Sequence, residues 1–138
     1  VGAVVTRSAA LAFQIGDGAL VFRERGALFP VFWPESGEYA NMTHFVTDEE
    51  AFIRLQAKVC PPPEEVAVLT DGLQRLALVY ATREVHAPFF EPMFKVLRGT
   101  GSLEDCDPLN GFLEVFLEGG AVNDRTDDDK TLVLATKL

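Results

Sequence analysis

Val66-Ala67-Val68-Leu69-Thr70-Asp71-Gly72 is an unbroken apolar run that stops on a carboxylate. Four consecutive apolar residues suit a strand buried on both faces, and such a strand carries Asp71 to the rim of the core. A charged carboxylate left there without a partner costs on the order of several kcal/mol, so it reaches solvent, binds a cation or takes up a proton. Asp-Gly is equally an ordinary turn pair, and a plain turn is the simplest reading of residues 71–72 taken alone.

Before this run, Ile53, Leu55, Ala57 and Val59 alternate with Arg54, Gln56 and Lys58. A period of two is that of a strand with one dry and one wet face, and Pro61-Pro62-Pro63 ends it. Residues 10–15 and 19–23 read as two further strands, and Gly16-Asp17-Gly18 between them predicts a hairpin. A second turn is predicted at Arg25-Gly26. Residues 28–33 contain Pro30 and stop at Pro34, which makes them an edge strand or a loop. Residues 34–43 read as an exposed connection and residues 44–47 as a short strand.

After the run the apolar period lengthens. Pro88 in a first turn and Gly99 at the close bracket a helix through Phe90, Met93, Phe94 and Leu97. Asp107 as N-cap, Pro108 at the first helical position, the stripe Phe112, Leu113, Phe116 and Leu117, and the stop at Gly119-Gly120 bracket a second. Residues 131–136 return to strand. There is no internal repeat or low-complexity stretch. Strands, then helices, then a closing strand argue for an α+β layered sandwich.

At 138 residues and 48% hydrophobic, the chain is long enough for one domain with a substantial core. Its net charge of -9, from 21 acidic and 12 basic residues, opposes nucleic acid and anionic membrane alike. No apolar run approaches the ~20 residues that span a bilayer. Cys60 and Cys106 lie far apart without Cys or His neighbours, which argues against a zinc motif or a disulfide framework and for a reducing cytoplasm. The strand-like opening Val1-Gly2-Ala3-Val4-Val5, with no initiator Met, leads us to expect a preceding portion.

Asp124, Asp127, Asp128 and Asp129 crowd four negative charges into six positions, which suits either a solvated loop or a cation site. A helix-loop-helix calcium loop starting at Asp124 fails, because its sixth position is Asp129 and its twelfth Ala135. Carboxylate oxygens favour magnesium or manganese over zinc or copper. His44 and His86 read as structural residues, and Ser8, Ser36 and Ser102 lie in no nucleophile-elbow sequence. Gly16-Asp17-Gly18 lacks the continuation of a P-loop.

In their order, the acidic segments resemble the later half of the metal-dependent serine/threonine protein phosphatases of type 2C. That family carries a Gly-Asp-Ser strand turn, an apolar strand ending Ser-Asp-Gly, and Asp-Asn-x-Thr leading into the last strand. Here these stand as Ile15-Gly16-Asp17-Gly18, residues 66–69 with Thr70-Asp71-Gly72, and Asp128-Asp129-Lys130-Thr131 with residues 132–135. Gly18 and Thr70 replace Ser and Asp129 replaces Asn, none of them a metal ligand in the family. The resemblance covers residues 11–135, with the spacings of compact bacterial members.

The resemblance implies an α+β fold, a β-sandwich of two mainly antiparallel sheets flanked by helices in four layers (α-β-β-α). Residues 1–138 would form a single phosphatase-like domain lacking its N-terminal portion. It implies a site for two Mn2+ or Mg2+ ions and hydrolysis of phosphoserine or phosphothreonine by a metal-bridging water, without a phosphoenzyme. Asp71 and Asp128 are the implied metal ligands, with Asp127 or Asp129 in place of Asp128 if the register shifts, and Asp17 braces its turn. No side chain is assigned as catalytic. The implied partners are a phosphorylated protein substrate and a serine/threonine kinase opposed in a bacterial signalling pathway, in the cytoplasm. The family's Asn-Glu-Asp strand, bridging Asp-Gly pair and phosphate-binding Arg cannot be placed before Leu11, so the chain carries half a site, with little or no activity expected of it alone. Two other readings stand beside this one: an inactive phosphatase-like regulatory or binding module, and a sandwich that binds calcium through residues 124–129 for structure.

Overall fold

The computed structural model describes residues 1–34 and 46–137. In chain order its elements are β1 (Gly2–Val5), β2 (Ala10–Gln14), β3 (Ala19–Glu24), β4 (Ala27–Pro30), α1 (Ala51–Arg54), β5 (Gln56–Cys60), β6 (Glu65–Leu69), α2 (Gln74–Ala77), β7 (Leu78–Val79), β8 (Glu84–Val85), α3 (Ala87–Arg98), α4 (Asp107–Leu117), α5 (Gly120–Asn123) and β9 (Leu132–Thr136). Short 3-10 turns precede α2 at Asp71–Leu73 and α4 at Glu104–Cys106.

Two antiparallel sheets make the sandwich, one in the order β1-β2-β5 and one in the order β4-β3-β6-β9. Strand parity sorts the core. Along β3, Leu20 and Phe22 join Ala10, Ala12, Val31 and Cys60 between the sheets. The alternate residues Ala19 and Val21 join Ala67, Leu69, Leu73, Leu76, Phe90 and Phe94 on the other face, beneath α2 and α3. Both faces of β3 are thus buried, as continuous apolar strands require. β6 lies between β3 and β9, so the run that opened the sequence reading is interior to its sheet.

At the N-terminal end of β6 a charged network fastens α3 to the sheet. Arg23 donates from Nε to Glu65 Oε2, from Nη2 to Glu91 Oε1 at 2.8 Å, and from Nη1 to the Gly26 carbonyl at 2.9 Å. Arg98 adds a second ion pair to Glu65. Burial opposes the charge on Arg23, but its bonds to Glu65 and Glu91 outweigh that, and the guanidinium is held more firmly protonated than usual. The Arg23 guanidinium also lies 5.8 Å from the Phe94 ring centre.

Several expectations change. Residues 10–15 and 19–23 do not form a hairpin: β2 pairs with β1 and β5, while β3 pairs with β4 and β6. The glycine-rich segment is a corner that passes the chain from one sheet to the other, with Gly16 at φ 81. Ala10 and Ala12 therefore meet Leu20 and Phe22 face to face rather than edge to edge.

The dry face assigned to residues 53–59 is also reversed. Residues 51–54 turn helically, and in β5 Val59 is 72% exposed while Cys60 is buried. Register puts Val59 opposite Leu11 and Leu11 opposite Val4, so the outer face of this sheet is apolar and exposed. Asp107 begins α4 instead of capping it, because the preceding 3-10 turn runs straight into the helix. The stripe on α4 is only partly covered, with Phe112 72% exposed. Residues 34–43 and the strand expected over 44–47 lie outside the described residues except for Pro34, Val46 and Thr47, and the last two follow no strand path.

The hairpin at Arg25-Gly26 is present, with both residues at positive φ, the conformation a two-residue turn demands. β4 is an edge strand ending at Pro30, and α3 runs from His86 as N-cap to Gly99 as C-cap. Cys60 and Cys106 are both free thiols. No described helix is long and apolar enough to cross a membrane.

Candidate functional site

Three segments meet beyond the C-terminal end of β6: the Gly16–Gly18 corner, the turn at residues 70–73, and the loop 127–131 that leads into β9. Thr70 ties the last two. Its backbone N–H donates to the Thr131 carbonyl at 3.2 Å, and its Oγ1 donates to the Asp129 carbonyl at 3.1 Å while accepting from the Thr131 N–H at 2.9 Å. β6 and β9 are neighbours in the sheet, so their ends bring Asp71 and the acidic loop together across some sixty residues of sequence.

Gly72 is required at this junction. A Cβ there would stand 2.4 Å from the Asp129 carbonyl oxygen, closer than packed atoms approach, and at a tight 3.2 Å from Asp128 Cβ. Gly72→Ala is therefore expected to push the 128–129 segment away, at a cost of about 1–3 kcal/mol typical of overpacking. Thermal unfolding of the variant checks this; an unchanged midpoint would mean that the two segments do not touch.

The corner is held from the other side. Gln74, buried at the start of α2, donates from Nε2 to the Asp17 carbonyl and accepts at Oε1 from the Tyr80 hydroxyl. Tyr80 in turn packs edge-on against Trp33, with ring centres 5.3 Å apart and planes at 82°.

Asp71 is the electrostatic focus. Its carboxyl is raised above the usual aspartate range, first by burial, then by the charge of Asp17, then by that of Asp128, while the N–H of Gly72, 3.0 Å from Oδ1, works the other way. Asp128 is itself set by the Asp129 N–H, which donates to its Oδ1 at 2.8 Å. Asp124, Asp127, Asp128 and Asp129 are all exposed, and of the four it is the charge of Asp128 that acts on Asp71.

Of the expected ligands, Asp71 and Asp128 lie within electrostatic reach of each other. Asp17, expected only to brace a turn, braces it through its backbone carbonyl and adds its charge to the same place. The sequence offered no sign of Gln74, Tyr80 or Trp33. His86 caps α3 and donates its N–H to the Ala77 carbonyl at 2.8 Å; His44 lies outside the described residues.

Among the described residues, no three His, Cys, Asp or Glu side chains close around one point as a complete metal cage. The donor chemistry nonetheless suits a hard divalent cation: the groups are carboxylate oxygens, and the charges of Asp17 and Asp128 both act on Asp71.

An antiparallel sandwich that gathers carboxylates from a sheet corner and two neighbouring strand ends defines an α+β sandwich with one acidic end. The family model described as Protein phosphatase 2C matches residues 1–114, and the chain belongs to that family. It is 45% identical over 135 residues to Serine/threonine-protein phosphatase 3 of Escherichia coli, a match covering 97% of this chain and 53% of that protein. The chain thus spans about half the length of the curated relative it matches. Two crystal structures of substituted forms of a bacterial serine phosphatase share the fold at 14% identity. Their TM-scores are 0.56 and 0.53, covering 99% and 97% of this chain and 52% and 55% of those chains.

Proposed function

We propose that the chain is the later part of a phosphatase domain that hydrolyses phosphoserine and phosphothreonine on proteins in a metal-dependent way, opposing a bacterial kinase in the cytoplasm. The observation that carries this reading is the gathering of Asp17 and Asp128 within electrostatic reach of Asp71 at one end of the sandwich, on a chain of the 2C family. Asp71 and Asp128 would hold Mn2+ or Mg2+, and Asp17 would add to the negative field that retains it. A divalent ion bound there supplies Lewis acidity, which acidifies water and neutralises phosphoryl oxygens.

The chain's own residues prepare for that. Thr70 and Gly72 fix the distance between the two carboxylate-bearing segments, and Gln74 fixes the corner that carries Asp17. The half-length match and the bare apolar face of the β1-β2-β5 sheet support the view that further sequence completes both the domain and the two-metal site.

The test is phosphate release from a phosphothreonine peptide by the polypeptide in its natural length, with and without Mn2+. Release that depends on the metal and stops with a chelator supports the reading. Metal binding without release at any divalent ion would favour an inactive regulatory module, and calcium-raised melting with no Mn2+ effect would favour a purely structural site.

A further inference from the structure

Residues 15–18 lie between the end of β2 at Gln14 and the start of β3 at Ala19, so no strand ladder includes them. They run against the end of β6: Ala19 pairs with Leu69, and a Cβ on Gly18 would stand 3.1 Å from the Leu69 carbonyl oxygen. Asp17 precedes Ala19 by two residues and Asp71 follows Leu69 by two, so both aspartates leave one antiparallel pair of strands at the same end. Where Asp17 stands therefore depends on what holds the corner from outside the sheet.

Gln74 supplies that hold, and its amide can lie in one sense only. The Asp17 carbonyl can only accept, so Nε2 faces it; Oε1 then faces the Tyr80 hydroxyl, which has to donate. Gln74 is 9% exposed, and a buried amide oxygen without a donor is costly, so the Tyr80 proton is what keeps the amide in that sense. The half-exposed Tyr80 ring is seated in turn by Trp33, edge-on at 5.3 Å, and Trp33 packs against the larger core cluster. Direct contacts thus run from Trp33 through Tyr80 and Gln74 to the backbone of Asp17.

We propose that Tyr80 is a positioning residue for the acidic end of the sandwich: by donating to Gln74 it holds the Asp17 corner against the end of β6, where a divalent cation is to bind. It touches neither cation nor substrate in this role. Without the hydroxyl, the Gln74 amide loses its donor and its preferred sense, and the grip on the Asp17 carbonyl slackens. A corner that is ordered only when the cation arrives charges that ordering against binding, whereas a clamped corner is ready beforehand.

This inference rests on the proposed reading of that end as a cation site, and the experiment separates the two. Mg2+ binding by the natural-length polypeptide is measured calorimetrically for the parent, Tyr80→Phe, Gln74→Leu and the double variant. Tyr80→Phe keeps the ring beside Trp33 and removes only the hydroxyl, so the core packing is preserved. It is expected to weaken Mg2+ binding by about threefold to tenfold, the scale of one hydrogen bond. The double variant is expected to bind no worse than Gln74→Leu alone, because both substitutions act through one contact.

Backbone 15N relaxation of the same proteins, free of metal, provides the second arm. The order parameters of Asp17 and Gly18 are expected to fall in Tyr80→Phe and Gln74→Leu from near ~0.85 toward about 0.6, with β3 and β6 unchanged. If the parent binds no divalent cation but the corner loosens in the variants, the cation reading falls and the clamp on Asp17 stands. A corner as rigid in Tyr80→Phe as in the parent overturns the assignment of Tyr80. So does Mg2+ binding that Tyr80→Phe leaves unchanged, or losses that add in the double variant.

Discussion

Asp71→Asn is expected to lower metal-dependent phosphate release by the natural-length polypeptide by about two to four orders of magnitude, since the cation's stabilisation of transition-state charge is worth several kcal/mol. The same variant, free of metal, is expected to be more stable than the parent at neutral pH. The two effects have one cause. Burial and the charges of Asp17 and Asp128 raise the Asp71 carboxyl above its ordinary value of 3.8, so its charged form is disfavoured in the folded chain.

The sign follows from proton counting. Between the ordinary and the raised value the folded state binds more protons than the unfolded state, so stability falls as pH rises through that window. Asn carries no charge and removes this slope. Asp71 is well exposed, so the gain is a solvent-screened one of a few tenths of a kcal/mol to about 1 kcal/mol. Denaturation of parent and variant at several pH values, with and without Mn2+, checks both halves. A variant less stable than its parent in the absence of metal would show that Asp71 is satisfied by a protein partner and is not held for a cation.

Glu65→Ala is expected to cost about 3–5 kcal/mol, the range for breaking a buried ion pair by removing one partner. Glu65 is 2% exposed and receives Arg23 from within its own sheet and Arg98 from α3. Its removal leaves the Arg23 guanidinium, 8% exposed, with only Glu91 to offset its charge. The double variant Arg23→Met with Glu65→Leu is expected to recover most of that loss, because no charge is then left buried. Urea unfolding of the singles and the double forms the cycle. Six residues of extended chain, roughly 20 Å, separate Glu65 from Asp71, so Mn2+ affinity measured on folded protein should be unchanged by these substitutions. A loss below about 1 kcal/mol for Glu65→Ala would place the network in solvent.

How far the sequence could be read depended on whether a feature was local. The helix α3 was legible because its caps and its apolar stripe lie within a dozen residues. β6 was legible because four apolar residues in a row have few other fates. The β2–β3 hairpin was misread because a tight glycine turn is compatible with two strands side by side or with two strands facing each other across a sandwich. Only the pairing of β2 with β5 and of β3 with β6 distinguishes these. The dry face of β5 was misread for a related reason: alternation reveals that a strand has two unlike faces, not which of them the sheet turns inward.

Within the candidate site, the sequence pointed to Asp71 and to the acidic loop, because a carboxylate closing an apolar run and a cluster of like charges are both costly and therefore conspicuous. It grouped the Asp17 segment with them as a motif but gave Asp17 only the bracing of a turn, and that its charge reaches Asp71 was visible only in the fold.

The order of the acidic motifs along the chain carried the resemblance to the family, and strand ends and caps, written in neighbouring residues, pointed to the α+β class. The approach of Asp17 to Asp71 and the seating of Gly72 against residues 128–129 were decided by tertiary structure alone. These depend on which strands pair and which face packs inward, and those choices are settled by burial summed over the whole sandwich.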